Sequence, residues 1–252
     1  MEQGKNPSVK KGLKEYLLEG LMIFVAVSMG FIAENIREDL ADNEKEIKYI
    51  RSFYSDLSED EKNLEKLVRA IQIQSIQAAD SVMLLADSLN TGKYDNHFYS
   101  FSSRLIRQQG IRAYVTDRTM DEIKNASEMK LIKNKLITDS LLDYYKEIVL
   151  LDYFQNILLG YKAKLKDDLP YVFDAKEYSK LYWEGVDIRS TSLNGEQLHL
   201  LKPDKTVMNR ILIEIYDIGG LSRVIQRNII KQQTTASSIK KMMDDFYQLS
   251  SN

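Results

Sequence analysis

Apolar residues recur every three or four positions along the first third of the chain, from about Tyr16 to Leu89. An apolar run from Leu17 to Ala33 is broken by a single charge, Glu19. Beyond it, steps of three and four residues land mostly on apolar side chains, with no Gly or Pro between Phe31 and Asn90. Such a 3.5-residue period is typical of coiled coils and of long bundle helices. The pattern predicts one long helix that begins as a membrane anchor.

The rest of the chain also follows helical periods. The apolar stripe is narrow from 36 to 61, which suits a stalk, and widens beyond Leu64, which suits a bundle. Further helices are predicted at about 98–109, 117–130 and 135–169, the last ending at Pro170. A final helix follows a cap at Asp204, with a slight bend expected at Gly219-Gly220. The fold class is therefore all-α: a transmembrane helix continuing into a long antiparallel stalk and an elongated helical bundle.

Polar residues interrupt both the first and the last apolar stripes. Placing the two helices antiparallel, with Glu61 opposite Gln232, brings these interruptions together, and buried polar groups need partners. Ser75 and Ser222 then lie about one turn apart. The predicted polar layers comprise Asn43, Glu61, Ser75, Ser222, Gln232 and Ser250, with Asn43 opposite Ser250. The apolar run and its charged flanks predict a cytoplasmic tail at 1–14 and a membrane span at 15–35. The register predicts a membrane-proximal stalk of 36–61 with 232–250 and a distal head at 62–231.

The two flanks of the apolar run differ in charge. Residues 1–14 carry four lysines and one acid, whereas residues 34–46 are rich in Asp and Glu. Positive charge on one flank predicts that this flank stays in the cytoplasm. A cleaved signal peptide is the rival interpretation, but Ala33 leads straight into the helical stripe without a polar break. We therefore expect an uncleaved signal-anchor in a bacterial inner membrane, with the bulk of the chain in the periplasm.

One face of the predicted span combines small and acidic residues. Charges inside a span are costly and often functional, although Glu19 lies near enough to the headgroups to pair with Lys11 or Lys14. Small residues allow helices to approach closely, so this face could mediate a homo-oligomer. The predicted interaction face of the span comprises Glu15, Glu19, Met22, Ala26, Gly30 and Ala33.

Composition excludes several function classes. The net charge of −2 and the lack of a basic patch argue against nucleic-acid binding. The chain has no Cys, which excludes disulfides and thiolate metal sites. Its two histidines, His97 and His199, lie far apart without a metal-binding motif, and no glycine-rich phosphate loop or nucleophile elbow occurs. We expect no enzyme activity, no catalytic residues, no metal and no cofactor.

An irregular segment at 171–203 concentrates aromatic residues near chain-breaking Gly and Pro. These aromatics either form a lid that closes the bundle or expose a surface for a partner, since aromatic side chains are enriched at interfaces. The candidate partner surface comprises Tyr171, Phe173, Tyr178, Tyr182 and Trp183.

Two stretches carry a family resemblance. One is Lys14-Glu15-Tyr16-Leu17-Leu18-Glu19 with the apolar run and Ala33-Glu34-Asn35-Ile36-Arg37-Glu38. The other is residues 117–145, with Ile123-Lys124-Asn125-Ala126-Ser127, Leu131-Ile132-Lys133-Asn134 and Asp143-Tyr144-Tyr145. They resemble the N-terminal anchor and the central helical hairpin of the uncharacterised single-span Bacteroidota membrane proteins of domain-of-unknown-function family 6090. The resemblance implies an envelope location and supplies no activity.

Three function classes remain at this point. The favoured one is an anchored helical scaffold or interaction protein that presents its distal head to a protein partner in the envelope. A sensor-like bundle would instead bind a small ligand among aromatics between its helices. An accessory subunit of a transporter or ion-driven motor would use Glu19 directly.

Overall fold

The computed structural model describes residues 12–91, 95–107, 112–181, 197–202 and 204–249. Over these ranges the protein is all-α, as the apolar periods predict, and its β structure is one isolated bridge between Phe173 and Leu200. The chain divides into two compact units, Met1–Tyr49 and Ile50–Asn252.

The first unit holds the apolar end of helix α1, which spans Leu13–Ile71. Its large apolar side chains are exposed along the whole segment, including Leu17, Phe24 and Phe31. Among the described residues, one helix is long and apolar enough to cross a membrane, and no part of its most apolar window is buried. Beyond that window, Glu34 accepts a 3.0 Å hydrogen bond from Arg37 Nε one turn later.

The second unit contains the remaining helices. The chain stays helical from Leu13 to Thr91, as predicted, but it passes through a π-helical segment and ends in a 3-10 helix. The elements that follow α1 are the π segment Gln72–Ile76, α2 Gln77–Leu85, the 3-10 helix Ala86–Thr91, α3 Asp95–Arg107, α4 Arg118–Asn125, α5 Lys135–Asp168, α6 Ala175–Ser179 and α7 Lys205–Tyr247.

Side-chain caps fix where the long helices begin. Asn134 accepts hydrogen bonds from the backbone N–H groups of Leu136 and Ile137 at the start of α5. Asp204 does the same for the first turn of α7, as the sequence predicted, at 2.7 and 2.9 Å. Both caps satisfy backbone donors that have no partner within the helix. The end of α5 at Asp168 agrees with the predicted stop at Pro170.

Helix α7 runs antiparallel to the chain from Ile50 onward and to α5. Tyr54 donates a hydrogen bond to Asp244 near one end of α7, and Arg223 pairs with Asp80 of α2 further along. Towards α5, Lys231 pairs with Glu147 and Arg210 with Asp168. The three helical runs enclose one apolar core, which includes Leu64, Ile71, Val82, Leu151, Leu158, Leu165, Ile211, Ile218 and Ile225.

Gly219 marks a close approach between α7 and α2. A Cβ atom at this position would lie 2.8 Å from the Cβ of Ala79, whereas a Cβ at Gly220 would meet nothing within 4 Å. The helix continues unbroken through both glycines. The helix is therefore not interrupted at the expected bend. Gly219, unlike Gly220, allows α7 to pack closely against α2.

Candidate functional site

The predicted interaction face of the span is mostly exposed where the structure describes its side chains. Met22, Ala26 and Ala33 are exposed, and a Cβ at Gly30 would meet nothing within 4 Å. Glu19 is partly buried. The backbone of Glu15 is helical, and its side chain lies outside the described part of the structure. Self-association through this face therefore stays a prediction.

The predicted pairing of Glu61 with Gln232 is wrong. Glu61 accepts from Ser237 and, at 2.7 Å, from Lys240, while its backbone oxygen accepts from Gln233. In the observed register Glu61 lies opposite Ser237, which is about one helical turn beyond the predicted partner Gln232 along α7.

The amide of Gln232 turns instead towards α5. Its Nε2 donates a 2.7 Å hydrogen bond to the backbone oxygen of Tyr144, and the side chain is buried. The predicted register matched polar positions between the first and last helices only. It failed because the hydrogen-bond partner of Gln232 belongs to a third helix, α5. The predicted contact of Asn43 with Ser250 cannot be compared, because Ser250 is outside the described residues.

Ser75 and Ser222 are both buried, but the described structure gives them different surroundings. Ser75 lies in the π segment, and its Oγ accepts from Lys162 Nζ of α5 at 3.5 Å. Ser222 Oγ has no hydrogen-bond partner among the described residues. Both serines of the predicted layer are therefore buried, and the polar contact of Ser75 comes from Lys162 of α5.

The aromatic segment after α5 is partly a lid. Phe173 is buried, which corrects its assignment to a partner surface: its ring stacks on Tyr99 with centroids 4.1 Å apart and on Tyr178 at 5.4 Å. Tyr171 is exposed, and Tyr178 is half-buried. Tyr182 and Trp183 lie outside the described residues.

Tyr99 anchors this lid by hydrogen bonds. Its hydroxyl donates to the backbone oxygen of His199 at 3.0 Å and accepts from the backbone N–H of Asp174 at 2.8 Å. Burial raises the pKa of Tyr99 to about 12, so the hydroxyl stays protonated. The cluster is therefore a hydrogen-bonded part of the core.

Two buried carboxylates on α1 were not recognised from the sequence. Asp60 accepts hydrogen bonds from the backbone N–H and hydroxyl of Thr116 at 2.7 and 3.0 Å, and from the Tyr144 hydroxyl at 2.8 Å. Burial raises the pKa of Asp60, and the three donors oppose that shift. Burial likewise raises the pKa of Tyr144.

Asp56 lies one turn earlier on α1 and caps α4, although the two are far apart in sequence. It accepts from the hydroxyl and backbone N–H of Thr119 and pairs with Arg118 at 2.7 Å. The residue preceding α4, Asp117, makes no side-chain cap of its own. The two carboxylates therefore accept hydrogen bonds from the segment before α5 and hold it against α1. Their role is structural, since both accept from backbone N–H groups.

A second polar layer surrounds the π segment. π-helical turns are rare and occur often at functional sites. Here Gln226 of α7 donates to the backbone oxygen of Val68 at 3.2 Å and to Gln72 Oε1 at 3.0 Å. On the α5 side, Gln155 Oε1 accepts from the backbone N–H of Ala113 at 3.2 Å. The irregular turn is thus supported by the amide side chain of Gln226 from α7.

Lys162 is the most unusual residue of this layer. Only 5% of its surface is exposed, and burial lowers its pKa to about 8. A cavity of about 20 Å³, the size of a single water molecule, is bounded by Ser75, Gln155 and Lys162. The Nε2 atom of Gln155 is buried without a hydrogen-bond partner among the described residues. A buried amine with a perturbed pKa beside a cavity is a candidate functional group.

A larger cavity of about 470 Å³ adjoins the same lysine. It lies between the end of α3 and the second half of α5. Its lining comprises Ile106, Arg112, Leu159, Lys162, Ala163, Lys166 and Asp167. Periodicity alone could not find this site, because Lys162 occupies a buried position in a helix whose other lysines are mostly exposed.

Comparison with known proteins returned no matching family model, no matching curated protein and no matching solved structure.

Proposed function

We propose that this protein is a membrane-anchored helical interaction protein, whose bundle lies outside the cytoplasm and whose head contacts a protein partner in the envelope. The unburied apolar window of α1 supports the anchor. The lysine-rich flank before it and the acidic flank after it support an N-terminus in the cytoplasm of a bacterial inner membrane. The resemblance to single-span envelope proteins agrees with this location.

An exposed apolar face on α5 carries the proposal. We call it the outer stripe, and it consists of Leu142, Val149, Leu150 and Tyr153, which are 40%, 70%, 51% and 60% exposed. Leu142, Val149 and Tyr153 are spaced by seven and four residues, which places them on one side of the helix. Exposed apolar side chains grouped on one helix face are a candidate interaction site. Because the opposite side of α5 is already packed in the core, the outer stripe is available to a partner.

The direct test is the composition of the complex purified from native membranes in mild detergent. We expect the full-length protein to elute with a protein partner, which is either a different chain or a second copy. Val149→Glu with Tyr153→Glu should release that partner, because it places charge on the stripe. Leu84→Glu is the matched control, since Leu84 is also strongly exposed but lies on α2. A monomer in the unsubstituted protein would contradict the proposal.

The accessory-subunit alternative makes a different prediction. If Glu19 served a transporter or motor directly, Glu19→Gln would abolish function while the complex still assembled. If the protein is a scaffold, Glu19→Gln leaves both assembly and function intact. The sensor-like alternative is favoured by one observation, the cavity beside Lys162.

A further inference from the structure

The cavity between α3 and α5 has the features of a small-molecule site. Its volume of about 470 Å³ lies within the roughly 300–1,000 Å³ of ligand pockets. We propose that it binds a small amphiphilic anion, a single carboxylate or phosphate group joined to a short apolar chain. This inference is independent of any protein partner at the outer stripe.

The charge of the lining selects an anion. Arg112, Lys162 and Lys166 contribute three positive charges, against Asp167 in the lining and Asp152, which pairs with Arg112. Lys162 and Lys166 are one turn apart on α5, so both can reach the same ligand group. Lys166 makes no ion pair with any described residue. An anion between these groups would make charge-assisted hydrogen bonds.

Arg112 is already held in place for such contacts. Its Nη2 donates to Asn156 Oδ1 at 2.8 Å, and its Nη1 lies 3.5 Å from Asp152 Oδ1. A guanidinium has five N–H donors in a fixed plane, so donors remain for a ligand. Because α5 positions both of these partners, little side-chain freedom would be lost on binding.

The rest of the lining selects an apolar chain. Ile106 of α3 and Leu159 of α5 are half-buried, and the small side chain of Ala163 also lines the cavity. Ligand pockets are mostly apolar with a few polar groups that fix orientation. A fully hydrophilic anion would leave Ile106 and Leu159 uncovered, whereas an acyl chain of moderate length would cover them.

The first experiment measures binding to the full-length protein in phosphatidylcholine nanodiscs. Equilibrium dialysis compares three radiolabelled ligands: octanoate, octanol, which lacks the charge, and acetate, which lacks the apolar chain. Empty nanodiscs provide the blank. We expect saturable binding of octanoate at one molecule per chain, and no saturable binding of octanol or acetate. No octanoate binding above the blank, or equal binding of octanol, would overturn the proposal.

A chain-length series separates two sources of the same chemistry. Affinity that keeps rising from hexanoate to palmitate indicates a lipid-derived acid. Affinity that levels off at hexanoate or octanoate indicates a water-soluble organic acid. Both results support an amphiphilic anion, whereas equal affinity for acetate and all longer acids would refute the apolar requirement.

Substitutions locate the site. Lys166 is exposed, so Lys166→Gln should fold normally and weaken octanoate binding about tenfold, as the loss of one charged contact predicts. Lys146→Gln, at another exposed lysine of α5, is the matched control and should bind like the unsubstituted protein. Nuclear magnetic resonance of ¹³C-methylated lysines gives a second readout: octanoate should raise the pKa of Lys162 above about 8. Unchanged binding in Lys166→Gln would place any bound octanoate elsewhere.

Discussion

At the scale of single residues, the buried carboxylates show what a hydrophobic pattern cannot reveal. Asp56 and Asp60 belong to a densely charged stretch, where charge normally marks a solvated helix face. Their donors, Thr116, Thr119 and Tyr144, lie 56 to 84 residues further along the chain. The period of α1 carries no information on such distant partners, so burial of these acids could not be predicted.

Asp60→Asn should destabilise the second unit. The amide keeps one acceptor oxygen, so at least one of the donors from Thr116 and Tyr144 would face an NH₂ group. We expect a loss of roughly 2–3 kcal/mol in the free energy of unfolding, measured by chemical denaturation. Glu59→Gln is the matched control, because Glu59 is exposed one residue away, and it should change stability by less than about 0.5 kcal/mol. Equal effects of the two substitutions would show that Asp60 is solvated.

The buried Lys162 predicts an uncommon dependence of stability on pH. Its pKa is lowered from 10.5 to about 8 by burial, so between these values the unfolded lysine holds a proton that the folded one has lost. Stability therefore rises as the pH increases through this window. Between pH 8 and 9.5, below the ordinary pKa of tyrosine, the gain should be roughly 1–2 kcal/mol.

Lys162→Met should remove this rise, because methionine does not titrate. Lys146→Met should keep it, since Lys146 is exposed. The charged groups that line the cavity beside Lys162 are Arg112, Lys166 and Asp167. A pH profile of unfolding free energy that is identical in Lys162→Met and in the unsubstituted protein would contradict the burial of this amine.

The two adjacent glycines of α7 provide a matched pair. Gly219→Ala should cost about 1–3 kcal/mol, because the new methyl group would collide with Ala79. Gly220→Ala should gain about 0.5–1 kcal/mol, because alanine favours the helix and the site has space. Thermal unfolding of both variants checks this difference. Equal shifts for the two would mean that α7 and α2 do not approach closely.

At the scale of helices, the sequence predicted most elements and one cap. The starts of α5 and α7 follow from Asn134 and Asp204 as local capping residues, and Pro170 limits α5. The direction of α7 was also predicted, because its apolar stripe mirrors that of α1. The register was not, because it depends on which of two neighbouring helices each polar side chain faces.

The π segment was also beyond prediction. Residues 72–76 continue the same apolar stripe, and nothing in their composition separates a π turn from an α-helix. What stabilises it is supplied from elsewhere: Gln226 satisfies the backbone oxygen of Val68, and Lys162 contacts Ser75. A local irregularity that depends on distant side chains leaves no local sequence signal.

The observed register makes a crosslinking prediction. A short bifunctional thiol reagent should bridge Glu61→Cys with Ser237→Cys, because these side chains are in contact. The pair Glu61→Cys with Gln232→Cys should not be bridged, because Gln232 faces α5. The chain has no native Cys, so each double variant carries a single thiol pair. Bridging of 61 with 232 alone, read by gel mobility, would restore the register predicted from the sequence.

At the scale of the whole molecule, the candidate membrane span was predictable and the exposed outer stripe of α5 was not. An apolar run flanked by opposite charges is a local signal, so the candidate span follows from the sequence directly. The outer stripe of α5 could not be identified before the structure, because apolar residues surround much of that helix. Only the packing of Leu151 and Leu158 into the core shows that Val149 and Tyr153 are left outside.

The central claim is that an N-terminal span holds the helical bundle outside the cytoplasm, and thiol labelling in intact cells tests it most directly. Single-cysteine variants Ser8→Cys, before the span, and Lys176→Cys, exposed on α6, are treated in spheroplasts with a membrane-impermeant maleimide. The account predicts labelling of Lys176→Cys before lysis and of Ser8→Cys only after lysis. The reverse pattern, or labelling of Lys176→Cys only after lysis, would contradict it.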